Sequence, residues 1–149
     1  VAILIVLALA LVIGAISGIM VAILNIAPFI ATLAMTTILK GVAYMYQTGQ
    51  SRRIDGTFLP NWVKASTLGI PNPVLVMIIV FLVFLFVLNR TRYGRGIYAI
   101  GGNKQTAYLA GIPVKRYLIL TYALGGLCFA IAGVLLCGRL GMGTATVGD

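Results

Sequence analysis

The sequence has no histidine and no glutamate, and its acids are Asp55 and Asp149, far apart in the chain. Without a carboxylate pair or a histidine, general acid–base dyads, metal clusters and Ser-His-Asp arrangements are excluded within this segment. Charge is scarce altogether. Only 9% of the 149 residues are charged, against about a quarter in a soluble domain. Cysteine is nearly absent too: Cys128 and Cys137 fall in one apolar run. At about 100° per residue they point to opposite faces of a helix and cannot pair with each other.

What is present is apolar: 61% of the residues are hydrophobic and the mean hydropathy is +1.10. Too little polar surface remains to coat a globule in water, so the sequence is read as an integral membrane protein, all-α, with residues 1–149 as one membrane domain. The formal net charge of +9 comes from eleven Lys/Arg. Arg90, Arg92, Arg95, Lys104, Lys115 and Arg116 crowd into one loop between apolar runs. Orientation in a bilayer accounts for that clustering, and no nucleic-acid partner is expected. The chain opens at Val1 with no basic n-region and stops at "ATVGD", and the expectation is a piece of a longer protein.

No charge appears from Val1 to Leu39, too long for one span of about 20 residues. Asn25 and Pro28 divide it, predicting spans over 2–24 and 28–48. The first carries Ala10, Gly14, Gly18 and Ala22 at four-residue spacing; such a stripe lets a second helix backbone approach closely in lipid. Lys40 falls inside the second span, where a central lysine costs about 2.5–3.5 kcal/mol, so it either snorkels or faces protein or water. Residues 48–70 are polar and turn-rich. A third span, "VLVMIIVFLVFLFVLN", follows Pro71 and Pro73 and ends at Asn89; apolar all round, it is expected to face lipid. A fourth, 117–138, repeats the small-residue pattern with Gly126, Ala130, Gly133 and Cys137. The basic-rich 90–116 loop is expected inside and the 48–72 loop outside.

"GRGIYA" fits the loose G-x-G-x-x-A dinucleotide pattern, but no acid follows before Asp149; "GGNKQT" lacks the spacing of a phosphate loop. Any ATP would have to be held by another chain. "NKQTAYLAG" predicts a short helix, with Asn103 as N-cap and Gly111 as C-terminal stop before Pro113. It reads equally as an ordinary connector with a positive rim or as a compact knob that fits a partner's groove.

"FIATLAMTTILKG", "TRYGRGIYAIGGNKQTAYLAGI" and "GLCFAIAGVLL" resemble the permease subunits of bacterial sugar ABC importers of the ribose/xylose/galactose type, in a superfamily shared with branched-chain amino acid permeases. Thr91, Gly94, Arg95, Tyr98, Ala99, Gly101, Gly102, Asn103, Ala107, Leu109, Gly111 and Ile112 match the family's central motif, while Thr106, Tyr108 and Ala110 stand where Ala, Arg and Ser are usual. The resemblance implies a multi-pass permease domain of the bacterial inner membrane that imports a small sugar and is not itself an enzyme. Its implied partners are a separate ATP-binding cassette subunit, an extracytoplasmic sugar-binding protein, a second permease subunit and the lipid bilayer; no cofactor is implied. It places ATPase coupling on Gly101, Gly102, Asn103, Thr106, Ala107, Leu109, Gly111 and Ile112. Thr32, Thr36, Lys40 and Tyr44 share one helical face and are candidates for the substrate path, although threonines in apolar helices also bond their own backbone carbonyls. A channel or secondary carrier without ATP, or another solute such as a branched-chain amino acid, stays open.

Overall fold

A computed structural model describes residues 2–47, 52–53, 58–67 and 69–143. Among these residues seven helices dominate: α1 (Ala2–Ala22), α2 (Pro28–Gln47), α3 (Phe58–Lys64), α4 (Asn72–Arg90), α5 (Arg92–Gly102), α6 (Lys104–Leu109) and α7 (Val114–Leu140). Four of them, α1, α2, α4 and α7, are long and apolar enough to cross a membrane. Four two-residue strands form two antiparallel pairs: β1 (Arg52–Arg53) with β4 (Met142–Gly143), and β2 (Ser66–Thr67) with β3 (Ile70–Pro71).

The breaks between helices follow from single residues. Asn25 takes a left-handed φ of 52° after α1, and Pro28 then opens α2 with a ring already set for the first helical position. The polar segment expected at 48–70 contains α3, where Val63 is buried and the Asn72 side-chain amide donates to the Trp62 carbonyl at 2.6 Å. The predicted start of the fourth span at 117 is corrected to Val114. At 27 residues, α7 is roughly 40 Å long, about 10 Å more than the hydrocarbon layer, so one end projects or the helix tilts.

Among the described residues the most extensive packing is antiparallel, α1 against α7. A Cβ placed on Gly14 would lie 2.5 Å from the Tyr122 carbonyl oxygen and 3.0 Å from Ala123 Cα. On Gly18 it would lie 2.8 Å from Ile119 Cα, and on Gly126 it would lie 2.6 Å from the Ala10 carbonyl oxygen. The glycine stripe of α1 therefore meets the first half of the α7 stripe, backbone on backbone. Gly133 does not take part, since a Cβ there would have nothing within 4 Å, although Gly138 further along α7 is buried. Ser17, buried in the same seam, donates its hydroxyl to the Ile13 carbonyl at 3.0 Å.

The connections sort into two ends. Ala22 and Asn25, after α1, share a hollow of about 440 Å³ with Lys104, Tyr108 and Pro113–Arg116. At the far end Arg52 pairs with Gly143. Successive spans therefore run in alternating directions, as a multi-pass topology requires.

Candidate functional site

The loop between α4 and α7 is built from two short helices, each with an identifiable cap. Thr91 ends α4 and starts α5 in extended conformation. Its hydroxyl donates to the Val87 carbonyl and accepts from the Gly94 amide. A Cβ at Gly94 would collide with the Leu88 carbonyl, and one at Gly96 with the Tyr117 ring. These glycines let α5 lie against α4 on one side and α7 on the other. The Tyr93 ring stacks on Tyr117 at a centroid distance of 5.4 Å and an interplanar angle of 15°. Its hydroxyl meets Thr121 Oγ1 at 2.9 Å.

Asn103 then caps α6 as expected, its Oδ1 accepting from the amides of Gln105 at 2.9 Å and Thr106 at 3.1 Å. The C-terminal stop is a Schellman motif: Gly111 has φ +80°, its amide donates to the Tyr108 carbonyl, and the Ile112 amide donates to the Ala107 carbonyl at 3.1 Å. Gly111 and Ile112 are thus tied to the shape of α6 itself.

The residues expected to couple split by exposure. Gly101, Gly102, Asn103, Thr106, Leu109 and Gly111 are exposed, Ile112 is half-buried, and Ala107 is buried at 3% exposure. Ala107 faces its own chain and anchors the helix. Leu109, 84% exposed, projects away, whereas Tyr108, although 72% exposed, lines the hollow beside Ala22 and Asn25; the exposed Arg92, Arg95 and Lys104 belong to the same loop. Leu109 is thus presented on a short, six-residue helix capped at both ends.

The line on α2 looks different. Thr32 Oγ1 donates toward the carbonyls of Pro28 and Phe29, and Thr36 Oγ1 donates to Leu33. Lys40 and Tyr44 continue the face and are exposed. The four residues share the face that their spacing predicted, α2 packs mainly on α1, and this face stays apart from the loop. Sequence reasoning missed α5 altogether. Its signals were Thr91 as cap and Tyr93, Ile97 and Ile100 at helical spacing.

A family model described as the branched-chain amino acid transport system / permease component matches residues 1–148. The chain belongs to this permease family. It is 40% identical over 148 residues to the ribose import permease protein of Escherichia coli (strain K12), covering 95% of this chain and 46% of that protein. It is 38% identical over 128 residues to the D-allose transport system permease protein of the same strain, covering 86% and 39%. The ribose import permease protein of Bacillus subtilis (strain 168) matches at 38% over 127 residues, covering 84% and 39%. The chain thus spans less than half the length of these curated relatives. No solved structure gives a significant match. Family membership and four apolar spans make this a multi-pass membrane protein of the permease class.

Proposed function

We propose that this chain is part of the membrane-spanning subunit of an ATP-driven importer in the bacterial inner membrane, carrying a small sugar. ATP is hydrolysed on a separate cassette subunit, which grips α6 from the cytoplasm. An extracytoplasmic sugar-binding protein delivers the solute, and a second permease subunit completes the path. Residues 1–149 act as one domain of that subunit. Loop 90–116 lies inside, since six of the basic residues fall there and basic loops stay cytoplasmic.

One observation supports this reading: a doubly capped helix, placed between two spans, that leaves Leu109 84% exposed. A plain connector has no physical reason to present that apolar area. Gly101, Gly102, Asn103, Thr106 and Gly111 form the exposed frame of the knob; Ala107 and Ile112 seat it. Thr32, Thr36, Lys40 and Tyr44 line the solute path, their hydroxyls and ring suiting a polyol. The sugar reading follows the ribose and allose relatives. The description of the matched family favours a branched-chain amino acid as the second solute.

The test is Leu109→Asp in the full-length subunit. An acid at that position enters the partner's apolar groove unpaired, so the ATPase subunit should no longer co-purify although the permease still inserts. Lys104→Ala is the control, since a rim charge is worth only about 0–1 kcal/mol. Retained ATPase and normal transport in Leu109→Asp would make the loop a connector.

A further inference from the structure

We propose that the hollow between the end of α1 and the start of α7 binds the headgroup of one anionic phospholipid, drawn from the leaflet that the loop faces. The site goes beyond the docking reading and does not depend on it. It is built by this chain's own residues, whichever protein α6 meets.

The hollow measures about 440 Å³, within the range of about 300–1,000 Å³ for small-ligand sites. Its cations come from two elements. Lys104 belongs to α6, whereas Lys115 and Arg116 follow one another in the first turn of α7. All three are exposed. The chain's acids are Asp55 and Asp149, and neither is among the described residues, so no carboxylate there neutralises the three. The start of α7 at Val114 lines the same hollow, and the positive end of the helix dipole adds to the field. Phosphate suits this donor set, since a guanidinium meets two of its oxygens at once and an ammonium acts as a point charge.

Two observations make that phosphate a lipid's. The first is depth. Between Arg116 and Arg139 α7 carries no charge, and the stretch 117–138 is about 33 Å long, close to the roughly 30 Å of a hydrocarbon layer. With that stretch in the hydrocarbon, Lys115 and Arg116 fall at headgroup level. Between Ala22 and Asn25, which both line the hollow, Ile23 and Leu24 are exposed apolar residues at the same level. The second is the wall. Ala22, Pro113, Val114 and the Tyr108 ring make one side of the hollow apolar, which a soluble anion leaves bare and the glycerol and first methylenes of a lipid cover. Tyrosine collects at this depth of a membrane, ring in the apolar layer and hydroxyl in water, which accounts for the exposure of Tyr108. Basic hollows between spans are where charged headgroups bind.

The experiment uses the full-length subunit, delipidated in detergent and free of any ATPase subunit. Native mass spectrometry counts bound molecules during titration with phosphatidylglycerol, or with phosphatidylcholine of the same chains. The first phosphatidylglycerol should bind clearly more tightly than phosphatidylcholine. A cation near the membrane surface is worth about fivefold, so Lys115→Gln with Arg116→Gln should weaken phosphatidylglycerol by about 25-fold. Arg92→Gln with Arg95→Gln removes two cations of the same loop that do not line the hollow, and should change the affinity by less than about twofold, as screened charges do. Equal losses from the two pairs would mean a diffuse basic surface and overturn the inference. So would equal affinity for the two lipids. Displacement by inorganic phosphate beyond that caused by chloride of equal ionic strength would give the hollow to a soluble anion, and also overturn it. If Lys115→Gln with Arg116→Gln keeps the lipid but sheds the ATPase subunit from the assembled transporter, the hollow belongs to that protein partner instead. A subunit that never binds an ATPase would fail the docking reading and leave the lipid result untouched.

Discussion

Helices α4 and α7 are both apolar enough to cross a membrane, yet the chain packs them differently. α7 is packed along α1, whereas Met77, Ile79, Phe81 and Phe86 of α4 are each more than half exposed. The difference is composition at the scale of one atom. α4 reads "NPVLVMIIVFLVFLFVLNR", with no glycine, alanine, serine or threonine, while α7 offers Ala123 and Gly126 to Gly14 of α1. Lipid tails are as apolar as leucine, so grease gives two helices no reason to meet. Close backbone approach does, and only small residues permit it.

The comparison breaks most completely at Gly14. Gly14→Leu would drive a side chain into the Tyr122 carbonyl and should destabilise the subunit by at least the roughly 1–3 kcal/mol of an overpacked core, read from unfolding of the full-length subunit in detergent. An unchanged transition would mean that α1 and α7 do not rely on the seam. The comparison extends to the loop, which lies against α4 at Gly94 and against α7 at Gly96. Gly111→Val should cost about 1–2 kcal/mol at a left-handed position, lowering ATPase co-purification without loss of insertion. Asn103→Ala, which removes the acceptor for two amides, should cost about 1 kcal/mol of local order. Amide exchange at Gln105 and Thr106 reports it. Smallest of all, Gly133→Ala points a methyl into open space and should stay within about 0.5 kcal/mol of the parent; a larger loss would show that this position is packed after all.

Much of this architecture is legible in the sequence. The four spans fall within a few residues of their expected bounds because charge and proline punctuate an otherwise apolar chain. Asn103 and Gly111 announce α6 because capping chemistry is local. α5 was hidden for the opposite reason. Gly94, Gly96, Gly101 and Gly102 argue against a helix by propensity, and the first two are there because α4 and Tyr117 crowd the backbone, a fact of tertiary packing. The Asn72 bond to the Trp62 carbonyl is likewise a meeting that no periodicity foretells. The split of the second stripe, Gly126 in contact and Gly133 open, depends on where α1 ends against α7. On α2 the spacing of Thr32 and Thr36 predicts a shared face, but a hydroxyl that bonds its own helix and one that also meets a solute have the same sequence signature.

The central claim is that α6 is a plug held out of the membrane for an ATPase subunit. A single cysteine at Leu109, in the full-length subunit lacking Cys128 and Cys137, tests it by cross-linking in the assembled complex, with a cysteine at Lys64 as the opposite-end comparison. The account predicts a cross-link from position 109 to the ATPase subunit and none from position 64. Cross-linking from 64, or none from 109 while the two subunits still co-purify, would contradict it.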